Sequence, residues 1–455
     1  MKRRQATSTR TAPGAALRAA AAQVVDAVLV DGRSMKAVLG AAQSRFDDDR
    51  DRALLEAIVF AVMRRARRYR GLVDRLLDKP LPARTRPLDS LLLCGLAQLD
   101  ALGLAPHAAI SASVDATREL RQPRLSGLVN AVLRRYLRER ESLDREADAA
   151  ESAHREHPDW LREQFVEDWG EALAGEILDA NNRPAPLWLR LRDVAPGQVA
   201  SDADDRASYV VALDLDDGDW RIPDRPDHAI CLLDAGSPAR LPGWADGRIT
   251  VQDGAAQFAA ELLNPQPGDR LLDACAAPGG KLAHLLDRQP KLGCAIGLDN
   301  DPTRLQRIEE NLRRLKLSAT LRVADATAAG EWWDGQPFQR ILIDAPCSGT
   351  GVVRRQPDIK WHRRAADIPA LAAQQCALLD ALWPLLAAGG RLVYATCSVL
   401  QDENARQIDA FLARHPDAVA IDPDLPVGRR SGHGWQILPG EGDLDGFFHA
   451  VLARR

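Results

Sequence analysis

Hydrophobic and polar positions in the carboxyl-terminal half follow the rhythm of strands that alternate with helices. Short apolar runs, each ended by polar or small residues, predict strands at 270–272, 294–298, 320–323, 340–343 and 390–395. Between them apolar residues recur at steps of three and four, as in the helix predicted at 302–316. This alternation is typical of a doubly wound parallel sheet. We therefore predict an α/β, Rossmann-like domain with strand order 3-2-1-4-5, in which ligands bind at the carboxyl ends of the strands.

The first 140 residues show helical spacing throughout and no strand-like alternation. Helices are predicted at 16–29, 51–70, 87–102, 109–120 and 125–137. Breakers such as Pro80, Pro82 and Pro106 separate some of these segments. An all-α helical bundle is therefore expected at this end of the chain.

The middle of the chain has a mixed pattern. A charged segment at 141–159, poor in large apolar residues, indicates a linker with some helical character. Beyond it the pattern predicts helices at 160–180 and 255–263, and strands at 187–191, 209–213 and 230–233. These elements favour a small α+β module. The expected domains are a helical domain at 1–145, a linker and α+β module at 146–250, and the α/β domain at 251–455.

Charge is unevenly distributed along the chain. The 455 residues have a net charge of −4, but residues 1–140 contain 26 Lys or Arg against 14 Asp or Glu. This excess of positive charge favours the helical end as the place where a polyanion binds. Two clusters carry much of it: Arg64, Arg65, Arg67, Arg68 and Arg70, and Arg134, Arg135, Arg138 and Arg140. A solvated helix face is the simpler interpretation of either cluster alone, whereas phosphate contact is favoured beside a domain that modifies nucleic acid.

Composition argues against several other classes of protein. No uncharged run reaches the roughly 18 residues that a membrane span needs. Arg18 and Asp26 interrupt the Ala-rich stretch near the amino terminus, which argues against a signal peptide. The seven cysteines are scattered without a C-x-x-C pair, so reduced thiols in a cytoplasm are expected. His362, His433 and His449 form no cluster that indicates a metal site.

The strongest local signal is the stretch from Leu272 to Lys281, Leu-Asp-Ala-Cys-Ala-Ala-Pro-Gly-Gly-Lys. It is a strand, a turn of small residues and a helix start, in which backbone N–H groups can approach a nucleotide-like ligand closely. Gly279 and Gly280 supply any unusual backbone angles that the turn needs. The turn does not match G-x-G-x-x-G, so the dinucleotide fingerprint is absent. Taken alone, such a turn could instead serve close packing of the helix on the strand.

Acidic residues close three of the later strands. Asp299 ends the second strand, Asp325 lies just past the third and Asp344 ends the fourth. Asp299 lies about 20 positions after the turn, a spacing that suits the two hydroxyls of a ribose. For Asp299 and Asp325, capping of the following helix is the alternative.

Two cysteines follow neighbouring predicted strands. Cys347 lies within Asp-Ala-Pro-Cys-Ser-Gly-Thr-Gly after strand four, and Cys397 within Ala-Thr-Cys-Ser after strand five. In the predicted strand order both thiols emerge on one edge, beside the turn at 273–281. A buried cysteine usually acts as a small apolar residue, but two at adjacent strand ends indicate a functional pair. Four thiols in apolar helix or strand patterns are expected to be structural: Cys94, Cys231, Cys294 and Cys376.

Together, these motifs resemble those of the S-adenosylmethionine-dependent RNA cytosine-5 methyltransferases, the NOL1/NOP2/Sun family. The resemblance spans roughly 240–455 and includes Asp445-Gly-Phe-Phe, whereas 195–235 fits it poorly. Val353-Arg-Arg-Gln-Pro-Asp-Ile-Lys-Trp narrows it to bacterial members that modify small-subunit (16S) ribosomal RNA. Residues 15–140 resemble the NusB family of antitermination factors through Asn130-Ala-Val-Leu-Arg-Arg and the helix before it, with Ala112, Val114 and Asp115.

The resemblance implies a chemistry for each motif. Carbon 5 of cytosine is a poor nucleophile, so a thiolate first adds to carbon 6, and carbon 5 then takes the methyl group. Cys397 is implied as the attacking thiol, and Cys347 as the group that assists loss of the carbon 5 proton and product release. Asp344 is implied at the cytosine edge or the methionine end of the cofactor, Asp299 at its ribose and Asp325 near its adenine. The residues implied around S-adenosylmethionine are Cys275, Ala276, Ala277, Pro278, Gly279, Gly280, Lys281, Asp299, Asp325 and Asp344.

Two other functions are compatible with the sequence. In a DNA cytosine-5 methyltransferase the nucleophile follows a proline and would be Cys347, although Thr396-Cys397 favours RNA. A non-catalytic RNA-binding or antitermination factor that kept the fold is the second alternative.

Extracting a stacked base costs about a few kcal/mol, so the expected substrate is unassembled or partly assembled 16S ribosomal RNA. The protein itself is expected to be a monomer.

Overall fold

The computed structural model describes residues 14–82, 85–149, 156–192, 204–216, 218–233 and 236–455. The predictions for the first residues of the chain and for 195–203 lie outside this part. The chain divides into two compact units. The helical unit comprises the described residues of Met1–Glu163, Asn181–Arg183 and Gln356–His362. The sheet unit comprises those of Gln164–Ala180, Pro184–Arg355 and Arg363–Arg455.

The secondary structure of the described residues is numbered in chain order. The helices are α1 Ala15–Leu29, α2 Met35–Gln43, α3 Asp49–Arg64, α4 Ala66–Leu76, α5 Arg86–Asp100, α6 Pro106–Glu119, α7 Ser126–Arg138, α8 Arg140–Ala149, α9 Asp159–Asn181, α10 Asp204–Val211, α11 Gly254–Leu263, α12 Gly280–Arg288, α13 Pro302–Leu315, α14 Ala329–Trp332, α15 Ile359–His362, α16 Asp367–Leu382 and α17 Ala405–Arg414. The strands are β1 Leu187–Leu191, β2 Trp220–Arg221, β3 Ala229–Leu232, β4 Ile249–Val251, β5 Arg270–Asp273, β6 Cys294–Asp299, β7 Thr320–Val323, β8 Phe338–Asp344, β9 Leu386–Thr396, β10 Ala418–Ile421, β11 Arg429–Ser431, β12 Gly434–Ile437 and β13 Phe447–Arg454.

The helical unit is built around α1, an Ala-rich helix that is buried on nearly all sides. Its Ala19 to Ala22 are buried in a core that also contains Leu55 of α3 and Leu92 of α5. A helix that is apolar all round belongs inside a core, and small side chains let neighbouring helices approach closely. The bundle predicted for the amino-terminal part is confirmed.

The single helix predicted at 51–70 is wrong, because the chain breaks at Arg65 between α3 and α4. Arg65 has φ −127° and ψ 31°, outside the helical region. The buried carboxylate of Glu156 then accepts hydrogen bonds from the backbone N–H groups of Arg67 at 3.1 Å and Arg68 at 3.0 Å. These are N–H groups of the first turn of α4, which have no partner inside the helix. Glu156 is distant in sequence, so hydrophobic spacing could not reveal this break.

The structure also differs from the predictions for the helix at 160–180 and the linker at 141–159. The helix at 160–180 is interrupted at Gly170, whose φ of 75° and ψ of 164° are not helical. Part of the predicted linker at 141–159 is helical in α8, and 150–155 lie outside the described residues.

The predicted strand at 209–213 is wrong, because its first three residues end α10. Tyr209 and Val210 are buried against Leu189 of β1 and Ile230 of β3, whereas Val211 is exposed. The small module is therefore a four-stranded antiparallel sheet of order β2-β3-β1-β4 with α10 packed on it. The remaining strand predictions at 187–191 and 230–233 are confirmed by β1 and β3.

The large sheet contains the predicted parallel core. Its strands β7, β6, β5, β8 and β9 lie side by side in that order, which confirms the order 3-2-1-4-5. Antiparallel strands β13, β12 and β11 extend the sheet beyond β9, and β10 pairs with β13. This extension was not predicted. The α+β module and the α/β sheet confirm the predicted fold class, while the domain limits at 145 and 250 stay predictions.

Among the described residues, none of the helices combines the length and the apolar character that a membrane span requires.

Candidate active site

A cavity of ≈ 410 Å³ lies at the carboxyl ends of the five parallel strands of the sheet unit. This volume falls within the range of about 300–1,000 Å³ found for small-molecule sites. Seven predicted site residues line it: Cys275, Ala277, Asp299, Asp325, Asp344, Cys347 and Cys397. The other predicted residues belong to the adjoining turn and do not line the cavity: Ala276, Pro278, Gly279, Gly280 and Lys281.

The turn after β5 is held against the end of β6. The N–H of Ala276 donates to the carbonyl of Leu298 at 2.7 Å, and the N–H of Ala277 donates to Oδ2 of Asp299 at 3.3 Å. Gly279, the N-cap residue of α12, has a φ of 97°. A Cβ at Gly279 would lie only 3.0 Å from Cγ2 of Ile308. Both the backbone angle and the close packing therefore require glycine here.

The two acidic residues predicted to hold a nucleoside are not helix caps. Asp301 is the residue that caps α13, since its side chain accepts from the N–H of Thr303 at 2.7 Å. Asp299 is buried, and its Oδ1 accepts from the N–H of Asp301 at 3.1 Å. Asp325 is exposed and accepts from the N–H and the hydroxyl of Thr327. A carboxylate has about four acceptor positions, so both side chains keep capacity for hydroxyl or amine donors of a ligand.

A lysine from the turn reaches the carboxylate that ends β8. Nζ of Lys281 donates to Oδ2 of Asp344 at 2.7 Å, and it lies 5.1 Å from the centre of the Phe447 ring. Burial alone would lower the pKa of Lys281, but the adjacent Asp344 outweighs burial and raises this pKa above its ordinary value. Burial, followed by repulsion from Asp344, raises the pKa of the nearby Asp273 to about 7. Behind the cavity lining, Lys281 therefore lies between the carboxyl groups of Asp273 and Asp344.

The two predicted cysteines meet at the rim of the cavity. Strands β8 and β9 pair in parallel with Asp344 opposite Ala395, which brings the loops beyond them together. Sγ of Cys347 lies 3.4 Å from Sγ of Cys397, and the N–H of Gly351 donates to the carbonyl of Cys397 at 2.9 Å. The hydrogen bond with Cys397 and then burial raise the pKa of Cys347 well above its ordinary value. Cys347 thus keeps its proton and can donate it to the sulfur of Cys397.

Sequence reasoning missed several residues of the cavity. Arg363 donates from Nε to the carbonyl of Ser348 at 2.9 Å and from Nη2 to the carbonyl of Cys347 at 3.1 Å. Arg304 donates to the carbonyl of Ala277 at 3.3 Å. One face of α16 also lines the cavity, with residues at helical spacing: Leu371, Gln374 and Leu378. That spacing was visible in the sequence, but only the fold shows which helix covers the site.

The cavity fits a nucleoside-containing cofactor. Its wall includes small side chains that leave room for a ligand: Ala274, Ala277, Ala324, Ala326 and Ala345. The buried carboxylate of Asp299 stands at the end of the second strand, where a ribose diol needs acceptors. These residues fit S-adenosylmethionine.

The four thiols predicted to be structural differ in burial. Cys94 and Cys231 are buried, whereas Cys294 and Cys376 are half-buried. Cys376 lies 3.6 Å from Oδ2 of Asp380.

The arginine clusters predicted to contact phosphates have partners inside the helical unit. Arg65 lies 3.3 Å from Asp100, and Arg68 lies 2.8 Å from Asp144. In the second cluster Arg140 is also paired with Asp144, at 3.2 Å. These pairs show that part of each cluster contacts carboxylates of the bundle, and phosphate contact by the clusters stays a prediction.

The fold and the cavity define a Rossmann-like methyltransferase that uses S-adenosylmethionine. Comparison with known families matches residues 260–453 to the 16S rRNA methyltransferase RsmB/F model. It also matches 15–138 to the NusB family and 157–194 to a ferredoxin-like domain of RsmF/B-like methyltransferases. The chain belongs to the RsmB family of ribosomal RNA small subunit methyltransferases. The resemblances of both parts of the chain are thereby confirmed.

Relatives support this membership over nearly the whole length. The ribosomal RNA small subunit methyltransferase B of Xylella fastidiosa strain Temecula1 is 49% identical over 97% of this chain and 98% of its own. The enzyme of the same name from Vibrio cholerae is 44% identical over 96% of this chain and 98% of its own.

Solved structures agree on the fold. The crystal structure of PH0851 has a TM-score of 0.77 and 20% identity, and the match covers 97% of this chain and 99% of that one. A methyltransferase homolog from Pyrococcus horikoshii has a TM-score of 0.56 and 25% identity, covering 66% of this chain and 96% of that one.

Proposed function

We propose that this protein methylates carbon 5 of a cytosine in 16S ribosomal RNA through a covalent bond between Cys397 and the base. The observation that carries the proposal is the distance of 3.4 Å between the sulfur atoms of Cys347 and Cys397 at the rim of the cavity. Two thiols there can act on the two adjacent carbons of one pyrimidine. The names of the relatives supply the RNA class.

The cavity residues would hold the cofactor in one orientation. When bound, S-adenosylmethionine would supply an electrophilic methyl group, and its sulfur would keep the electron pair of the broken bond to that group. Asp299 would accept from its ribose hydroxyls, and Asp325, which also lines the cavity, would lie near its adenine. Asp344 would face the methionine end or the cytosine edge, held in place by Lys281. The small turn at Cys275–Ala277 leaves room for the ligand beside the backbone.

The two thiols would divide the reaction between them. The hydrogen bond with Cys397 and burial raise the pKa of Cys347, which disfavours a thiolate there, so Cys397 is the proposed attacking thiolate. This thiolate adds to carbon 6, and the electron pair of the carbon 5–carbon 6 double bond moves to carbon 5, which bonds to the methyl group. Cys347 then assists departure of the carbon 5 proton to solvent. The electrons of that C–H bond restore the double bond, and Cys397 leaves as a thiolate.

The same chemistry indicates which state of 16S ribosomal RNA is the substrate. The base must leave its stack to reach the thiols, which costs about a few kcal/mol in a folded helix. Unassembled or partly assembled 16S ribosomal RNA is therefore the proposed substrate. The proposed enzyme acts as a monomer in the cytoplasm.

Separate replacement of the two thiols tests the proposal. Cys397→Ala is expected to abolish methylation, and Cys347→Ala to accumulate a covalent protein–RNA adduct that survives denaturing electrophoresis. Cys376→Ala, a half-buried thiol outside the cavity lining, serves as the control. Bisulfite sequencing of 16S ribosomal RNA from a deletion strain then identifies the cytosine.

Each alternative predicts a different result. A DNA enzyme that attacks with Cys347 would form the adduct in the Cys397→Ala variant and on DNA. A non-catalytic RNA-binding factor would methylate nothing and need not bind S-adenosylmethionine in calorimetry. Adduct recovery from Cys397→Ala with RNA would overturn the assignment of the nucleophile.

A further inference from the structure

Each of the two cysteines is followed by a serine, and both serines bind the same buried carboxylate. Oγ of Ser348 and Oγ of Ser398 each donate to Oε2 of Glu403 at 2.5 Å. The N–H of Ser348 donates to Oε1 of Glu403 at 2.7 Å. One side chain therefore links the residues next to Cys347 and Cys397.

The contacts around Glu403 are complete. Nε2 of Gln375 donates to Oε1 at 3.1 Å and also to the carbonyl of Pro346 at 2.9 Å. Thr350 closes the network, because its hydroxyl lies 3.1 Å from the hydroxyls of both serines. Four donors on one carboxylate fill its acceptor positions. The network has no room for a further donor.

The site is deeply buried and holds a carboxyl group without a basic partner. Ser348, Thr350, Gln375, Ser398 and Glu403 have no exposed surface. Among the described residues no Lys or Arg forms an ion pair with Glu403 within 4.0 Å. A buried polar group is costly unless hydrogen bonds satisfy it, and the four donors do so here. A fully satisfied buried network of this kind holds its members in one arrangement.

Glu403 is itself held rigidly. It ends a short turn, Gln401–Glu403, between β9 and α17. Its own carbonyl accepts from the hydroxyl of Tyr394 at 2.7 Å. Because Glu403 does not line the cavity, it acts behind the thiols and not on the substrate.

We propose that Glu403 is a positioning residue that fixes the distance between the two thiols by binding the serine beside each of them. The proposal rests on the proposed function, in which Cys397 attacks and Cys347 assists release. Each thiol is useful only in its correct place relative to one base, and a displacement of about 1 Å can cost roughly a hundredfold in rate. Because both loops bind the same carboxylate, the distance between the two thiols stays fixed.

The main test is the Glu403→Gln variant of the full-length protein. An amide presents an NH₂ group in place of one oxygen, so two of the four donors lose their acceptor, and the contacts lengthen towards about 2.9 Å. The maximal rate is expected to fall roughly 10- to 100-fold, while the KM for S-adenosylmethionine stays unchanged. Asp402→Asn in the same turn is the matched control, because Asp402 is exposed and pairs with Arg406.

Serine variants separate the two loops. Ser398→Ala in a Cys347→Ala background is expected to slow the formation of the covalent adduct, because it releases the Cys397 loop. Ser348→Ala alone is expected to form the adduct at the normal rate and to release it slowly, because it loosens the Cys347 loop. Rapid quenching and denaturing electrophoresis measure both rates.

The outcomes distinguish this proposal from the proposed function. If Cys397→Ala still methylates RNA, the covalent mechanism fails whatever Glu403 does. If Cys397→Ala is inactive and Glu403→Gln and both serine variants behave like Asp402→Asn, the positioning role is overturned. A change in thermal stability with an unaltered rate per folded enzyme overturns it as well. Should Glu403→Gln not fold, separate effects of the serine variants on their own steps support the role, and equal or absent effects overturn it.

Discussion

Lys281 and Asp344 are joined by a hydrogen bond of 2.7 Å between Nζ and Oδ2. The lysine lies in the first turn of α12 and the carboxylate ends β8, so the pair connects two motifs that are far apart in sequence. It also places a buried positive charge next to Asp273 and Asp344. The ammonium group of Lys281 therefore holds Asp344, which lines the cavity, from behind the lining.

Loss of that ammonium group should weaken cofactor binding. Lys281→Met leaves two carboxylates without their cation, and Asp344→Asn leaves the lysine without its partner. Each variant is expected to reduce the affinity for S-adenosylmethionine at least about tenfold in calorimetry, and the double variant no more than either one, because the two side chains act as a unit. Lys291→Met, at an exposed position, is the control. If the losses of affinity in the two single variants add up in the double variant, Lys281 and Asp344 do not act through their hydrogen bond.

Oxidation should join Cys347 and Cys397, the two thiols that line the cavity. Their sulfur atoms lie 3.4 Å apart, and a small movement brings them to the roughly 2.05 Å of a disulfide. Diamide, which takes two electrons and two protons from the thiols, is expected to abolish methylation, and dithiothreitol to restore it. Mass spectrometry of non-reduced peptides should find Cys347 linked to Cys397. Cys376→Ala should keep this sensitivity, whereas a link between Cys376 and either thiol would contradict it.

The free energy of unfolding should depend on pH through the ionisation of Asp273. Burial raises its pKa in the folded protein from 3.8 to about 7, so the folded state holds the proton more tightly than the unfolded state. Stability attributable to Asp273 is then present at low pH and is lost as the pH rises from near 4 to 7. Asp273→Asn should remove this loss and gain up to about 4 kcal/mol relative to the native chain between those limits.

Thermal unfolding at pH 5 and pH 8 measures the effect of Asp273→Asn. Asp334→Asn is the control of opposite sign, because a hydrogen bond from the N–H of Gln336 lowers the pKa of Asp334. That carboxylate contributes stability at neutral pH, so its variant should be less stable there. Equal pH dependence in the native chain and Asp273→Asn would refute the assignment.

A buried lysine should matter for the stability of the helical unit. Nζ of Lys360 donates to the carbonyl of Arg64 at 2.9 Å and to Oδ1 of Asn182 at 3.0 Å. Burial lowers the pKa of Lys360 to about 7, and the nearby Glu156 opposes this. Lys360→Met leaves both acceptors unsatisfied and is expected to cost about 1–3 kcal/mol in the free energy of unfolding. Lys79→Met, at an exposed position, should change it by less than about 0.5 kcal/mol.

The sequence predicted most of what is local in this protein. The strands and helices of the α/β core follow from apolar spacing, since burial on one face imposes that spacing on the chain. Errors arose where distant residues intervene. Glu156 accepts a hydrogen bond from a backbone N–H group at the start of α4, which permits the break at Arg65. Tyr209 is helical because its side chain packs into the core of the small sheet. Neither contact can be recognised from the residues that are neighbours of Arg65 or Tyr209 in the sequence.

The same division holds for the active site. The chain alone specifies which chemical groups are present, because a motif such as Asp-Ala-Pro-Cys is a matter of covalent order. Folding decides which of those groups meet. Pairing of β8 with β9 brings the sulfur atoms of Cys347 and Cys397 within 3.4 Å, and packing places Glu403 behind both loops. Distances between remote residues depend on the whole set of packing contacts, and no local pattern contains them.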